Sequence, residues 1–186
     1  MLISDFNRPE VIRAAVGEAL AIVGRYFELP TDRRAGIEAA AAAGIRRSSS
    51  WRDSGMTPAP RGRDMIRAAV EGIRAALKEP GRPAPRVLIP SCERDLRRAS
   101  TRAIRYVVAV ARECRGKREL IASMFRDAGR PVPPDDALVA VYTIADRATP
   151  YRRGSCVYRE AARAAIRRIY GSRYLTRCAP AHAAAV

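Results

Sequence analysis

Between Ser91 and Arg115 the polar and apolar residues separate at helical spacing, and this pattern predicts the helix around which the chain is organised. At about 100° per residue, Arg94, Arg98, Arg102, Arg105 and Arg112 fall in one sector, with Arg97 and Arg115 on its flank. Leu96, Ala99, Ala103, Val107, Val110, Ala111 and Cys114 fall on the opposite side. A surface helix packs its apolar side on a core, which leaves the arginine row in solvent. Ser91 after Pro90 is the expected N-cap, Glu93 and Asp95 occupy the first turn, and Gly116 is the expected stop.

The same periodicity places the other helices. A helix from about Asn7, with Pro9 in its first turn, carries Ile12, Ala15, Val16, Ala19, Ile22, Val23 and Tyr26 on one side. After Pro30 and Thr31 a second runs from Asp32 through an alanine-rich body to Ile45. Ile37 and Ile45 are its only large apolar groups, so it must pack closely or stay partly exposed. A third spans Asp64 to Lys78, with Ile66, Ala69, Val70, Ile73 and Leu77 inward. Its outer side, Arg63, Arg67, Arg74 and Lys78, is interrupted by Glu71 and reads as a solvated face. Beyond Gly116, short helices are expected at Arg118–Ala128, stopped by Gly129, and at Asp135–Arg147, which Asp135 and Asp136 begin. The last runs from Ser155 to Tyr170, or past Gly171 to Leu175. It repeats the arginine pattern in Arg159, Arg163 and Arg167, with Tyr170 and Tyr174 continuing that side and Val157, Ala161, Ala164, Ala165 and Ile169 toward the core.

The connections differ in composition. Residues 46–63, rich in Arg, Ser, Pro and Gly, read as a basic loop, in which Trp51 either tucks onto the core or stacks on a base beside Arg47 and Arg52. Residues 79–90 form a proline-rich linker with room for one short strand at 86–89, and residues 176–186 a disordered tail. The expected fold is all-α: a bundle of about six helices with an alanine-rich core and basic outer faces, in a single domain over residues 1–175.

Charge narrows the partner. The net charge is +16 and the isoelectric point about 11.0. Residues 1–93 hold 15 bases and 11 acids, and residues 94–186 hold 20 and 8, so the excess lies in the C-terminal half. All the bases but Lys78 and Lys117 are arginine, which grips phosphate bidentately, although a GC-rich coding bias also favours it over lysine. Four dispersed cysteines, Cys92, Cys114, Cys156 and Cys178, and the single His182 give no zinc spacing. No signal segment or membrane-length apolar run is present, and a cytoplasmic protein with reduced thiols is expected.

Catalytic apparatus is not legible. The chain offers no clustered acids for metal, no nucleophile beside a base, and no phosphate loop ending in lysine, so neither enzyme activity nor a cofactor is expected. Asp135 and Asp136 read as helix-start residues. A helix-turn-helix is a minor alternative, since the proline-rich connection after Gly129 is longer than the usual turn. The strongest functional signal is the pair of arginine rows, together with Arg152 and Arg153 before the last helix. Arg94–Arg98, Arg98–Arg102, Arg159–Arg163 and Arg163–Arg167 are like-charge pairs at i,i+4, each costing a few tenths of a kcal/mol that an anion would relieve. Phosphates of RNA or single-stranded DNA match this pattern, bound with little sequence preference.

In size, helical layout and arginine rows (Arg94/Arg98/Arg102/Arg105 and Arg159/Arg163/Arg167) the chain resembles the small helical subunits of multi-subunit CRISPR–Cas effector complexes, including the type IV kind. The resemblance spans nearly the whole chain and has no diagnostic motif. It implies a ribonucleoprotein subunit in antiviral or anti-plasmid defence, with several copies side by side and basic faces forming a groove for guide RNA or target strand. It carries over no catalytic or base-reading residue. A phage or plasmid DNA-binding protein, or a basic adaptor for acidic proteins, are the alternative classes; membrane-surface binding is disfavoured, because the faces opposite the arginines are needed for the core.

Overall fold

Proline at the first turn and a broad run of valine, isoleucine and alanine give the first long helix, one of six in a computed structural model that describes residues 3–54, 57–78, 100–172 and 174–175. Among the described residues all regular structure is helical: α1 (Ile3–Phe6), α2 (Pro9–Val23), α3 (Arg34–Arg47), α4 (Ser50–Asp53), α5 (Pro58–Leu77), α6 (Ser100–Asp127), α7 (Asp135–Ala148) and α8 (Cys156–Tyr170). The protein is all-α, and among the described residues the six helices of 14 residues or more are roughly consistent with the bundle of about six expected. The proline-rich linker with its possible strand, the first nine residues of the 91–115 helix, and the tail from residue 176 lie outside the described residues. The chain groups into two compact units, Met1–Arg112 and Glu113–Val186.

In the first unit α5 packs on α2, α3 and α4. It buries Met65, Ile66, Ala69, Val70, Ile73 and Leu77, while α2 buries Val11, Ile12, Ala15, Val16, Ala19, Ile22 and Val23. The alanine-rich α3 takes the close-packing option. Ile37, Ala41 and Ile45 are buried, and glycines on both helices let the backbones nearly touch. A Cβ on Gly72 would lie 2.4 Å from the Ala40 carbonyl oxygen, and one on Gly44 would lie 2.5 Å from that of Ala68. Small side chains here replace bulk with proximity.

The expected basic loop at 46–63 is instead largely helical. Thr57 and Pro58 start α5 six residues before Asp64, proline being suited to a first turn, and α4 fills part of the remainder. Trp51 is fully buried and its indole Nε1 donates to the Ile45 carbonyl at 3.0 Å. The Arg52 guanidinium lies 4.7 Å over the ring, and the Ser54 hydroxyl donates to Asp64. Trp51 is therefore a core residue that holds the turn.

The expected stop at Gly116 is also corrected: α6 runs through it for 28 residues. Gly116 does not take a positive φ; its missing side chain makes room for the Tyr151 hydroxyl, 2.6 Å from where a Cβ would stand. The actual stop is Gly129, φ +68, where Arg130 N–H donates to Phe125 O and Gly129 N–H to Arg126 O, both at 2.9 Å, in a Schellman closure.

In the second unit the end of α6, with α7 and α8, encloses Ile121, Phe125, Leu138, Val141, Tyr142, Ala145, Tyr158, Ala162, Ala165 and Ile166. The face of α8 turned inward differs from the one expected. Tyr158, Ala162, Ala165 and Ile166 are buried, whereas Val157 and Ile169 are 60% and 42% exposed and Ala164 faces solvent. The cause is Tyr158, whose hydroxyl donates to Asp146 and whose ring meets Tyr151 edge-on; seating it turns the helix by about one residue. The helix ends at Tyr170, with Gly171 at φ +95. Tyr170 and Tyr174 stack on each other and meet Phe125 edge-on, so they join the core margin instead of prolonging the arginine side. Among the described residues no helix is long and apolar enough to cross a membrane.

Candidate functional site

On α6 the predicted division of faces holds where it is described. Ala103, Val107, Ala111 and Cys114 are buried, and Arg102, Arg105 and Arg112 are exposed. Arg94 and Arg98 lie outside the described residues. Among the described residues Arg102, Arg105 and Arg112 make no ion pair, whereas Arg115 is held by Glu119 at 2.5 Å. Three uncompensated guanidinium groups therefore share one solvent-facing sector over three turns. Such a sector lowers the free energy of any anion brought to it.

The α8 row is more mixed. Arg159 and Arg167 are exposed and without ion pairs among the described residues, but Arg163 is paired with Glu160 one turn back. Glu160 relieves part of the like-charge repulsion that the i,i+4 spacing alone would impose. The row borders the core about a third of a turn away. Arg159 and Arg163 accordingly line a groove of about 300 Å³ with Met124, Asp127, Ala128 and Leu175. Arg152 and Arg153 are exposed in the turn before α8. Gly154 at φ +80 closes that turn, and the Ser155 hydroxyl accepts the Tyr158 N–H at 3.4 Å as N-cap.

The acidic pair is accounted for locally. Asp135 accepts from Arg118 at 2.9 Å, and Asp136 Oδ1 accepts the Ala137 N–H at 2.9 Å, beside the positive end of α7. Among the described residues no group of three His, Cys, Asp or Glu could hold a metal ion. Cys114 is buried and Cys156 exposed, and neither is in a disulfide.

Two features escaped the sequence reading. Lys117, 6% exposed, places its ammonium 2.7 Å from Asp146 and 2.8 Å from Glu113, with the Tyr142 and Tyr151 rings 5.6 and 5.8 Å away. Burial works to lower its pKa, but the hydrogen bonds and charges of Asp146 and Glu113 prevail and hold the ammonium above its ordinary range. Burial, then the Asp146 charge, pushes the Tyr158 hydroxyl up strongly. The i,i+4 spacing of Glu113 and Lys117 was the available signal; Asp146 is 29 residues away and was not. The second feature is Tyr106, 52% exposed on the arginine side of α6. Its place was visible on the helical wheel, but its exposure was not.

Comparison of the chain with protein families, with curated proteins and with solved structures finds no match.

Proposed function

We propose that the protein binds nucleic acid through its sugar–phosphate backbone, as a non-catalytic subunit of a ribonucleoprotein. The observation that carries this reading is the set Arg102, Arg105 and Arg112 on one face of α6, exposed and without ion pairs among the described residues. Counterion release favours such a set on a polyanion, whatever the base sequence. Arg159 and Arg167, with Arg152 and Arg153, give the second unit exposed cations of the same kind. The resemblance to CRISPR–Cas small subunits fits this reading and adds the expectation of several copies along a nucleoprotein filament, with other protein subunits as partners.

The test is binding to single-stranded RNA and DNA over a salt series for Arg102→Glu with Arg105→Glu, and for Arg159→Glu with Arg167→Glu. Each lost single-strand phosphate contact should flatten the log–log salt dependence by about 0.7 and lower affinity, so each double variant is expected to bind about tenfold or more weakly. Melting should be unchanged, because these side chains are exposed and unpaired. The parent, supplied with magnesium or manganese, should leave both nucleic acids uncut. Parental affinity and salt slope in both variants would end this reading, and tight binding of the parent to a palindromic duplex alone would move it to the DNA-binding class.

A further inference from the structure

Of the eleven aromatic side chains, all within the described residues, Tyr106 alone is exposed. Phe6, Trp51, Phe125, Tyr142 and Tyr158 are fully buried, and the remaining five are half-buried. A lone exposed aromatic needs no explanation by itself, but the position of this one is informative. Arg102 lies one turn before it, Arg105 is its neighbour in sequence, and Ala109 lies one turn after it, all three exposed. Residues three and four apart on a helix share a surface, so the ring stands beside Arg102, with Arg105 about 100° further round the helix. Ala109 supplies only a methyl group on that flank, which leaves the ring open from that side. Glu113, two turns on, is engaged by Lys117 at 2.8 Å, an ammonium that Asp146 shares at 2.7 Å.

We propose that Tyr106 is a stacking platform for an unpaired base, and that this face of α6 therefore takes single-stranded nucleic acid in preference to duplex. The inference rests on the backbone-binding reading above and narrows its substrate. Every base has a π-face, so stacking adds affinity without sequence preference, and cations alongside hold the phosphates that flank the stacked base. In a duplex the base faces are covered by their neighbours, so the ring has nothing to meet. Trp51, the other residue suited to this role by its basic surroundings, is sealed in the core with its Nε1 hydrogen committed to Ile45.

The experiment measures binding of the full chain to a single-stranded oligonucleotide and to a duplex of equal length, over a salt series, for the parent, Tyr106→Ala, Tyr106→Phe and the Arg102/Arg105 double variant. Removing the ring should weaken single-strand binding about tenfold, within the range for one stacked base. It should leave duplex binding and the salt slope unchanged, and Tyr106→Phe should bind as the parent does. In Tyr106→Trp the added indole emission should be quenched by the single strand but not by the duplex, against a constant background from Trp51. If Tyr106→Ala binds single strands like the parent while the arginine variant does not, the stacking proposal falls and backbone binding stands. Equal weakening toward single strand and duplex also overturns it. A parent that binds neither nucleic acid removes both readings together.

Discussion

Lys117 is a charge that the second unit can keep out of water only because two carboxylates converge on it. Truncating one member of such a cluster leaves the others facing a void instead of a counter-ion, which costs more than the intact cluster contributes. Lys117→Met keeps the stem and deletes the ammonium, leaving Asp146 with only the Tyr158 hydroxyl as a partner among the described contacts. Glu113 and Asp146 retain some access to water, which softens the loss, and the expected destabilisation is about 2 kcal/mol by chemical denaturation. Lys117→Met combined with Asp146→Asn should cost less than the two single changes added together, because both act on one cluster. Additive costs would mean that the residues are independent.

At the scale of elements the outcome turns on what a glycine faces. Gly72→Ala puts a methyl group against the Ala40 carbonyl of α3, and backbone cannot give way as a side-chain tip can. Alanine's better helix propensity contributes at most about 1 kcal/mol, whereas overpacking costs about 1–3 kcal/mol, so the variant should be destabilised. Gly17→Ala, on an exposed turn of α2 with nothing within 4 Å, should gain about 0.5–1 kcal/mol. Thermal melting of both variants checks the opposite signs. This contrast also shows how far the sequence could be read. Periodicity located α2, α3, α7 and α8 closely, and it separated Val107 from Arg105 correctly, because those patterns are local. It could not show that Gly116 is a seat for Tyr151 and not a stop, or that Tyr158 and not Val157 faces inward. Both depend on partners outside the helix concerned: Tyr151 for Gly116, and Asp146 and Tyr151 for Tyr158. Trp51 is the same case: composition marked its segment as a loop, and only the packing around Ile45 shows it held as a short helix. The arginine faces were legible as positions, whereas the Glu160 partner of Arg163 and the exposure of Tyr106 needed side-chain geometry.

For the molecule as a whole, alkali should act on the two units unequally. The ammonium of Lys117 and the hydroxyls of Tyr158 and Tyr170 all have folded pKa values raised above their ordinary 10.5 and 10.0, and all three lie in the second unit. For Tyr170 the cause is burial, then the neighbouring Tyr174 and the Asp136 charge. A raised folded pKa means that the unfolded chain releases its proton first. The associated stability is therefore complete below about pH 10 and is lost as pH rises past that point toward the folded values. Isoleucine methyl spectra recorded upward from pH 9 should show Ile121 and Ile166 moving to unfolded positions before Ile37 and Ile73. Simultaneous loss would mean that these groups do not set the alkaline limit.

The enclosure of Lys117 also determines how the protein can be handled chemically. The chain has two lysines, and Lys78, at the C-terminal end of α5, is exposed while Lys117 is shut behind two carboxylates and two aromatic rings. Acylating reagents attack free, deprotonated amines, so of the two ε-amines only that of Lys78 is open to conjugation in the folded state. Besides the chain's α-amine, a dye or cross-linker directed at amines would mark Lys78 alone among the side chains, leaving Arg102 and Arg105 unmodified.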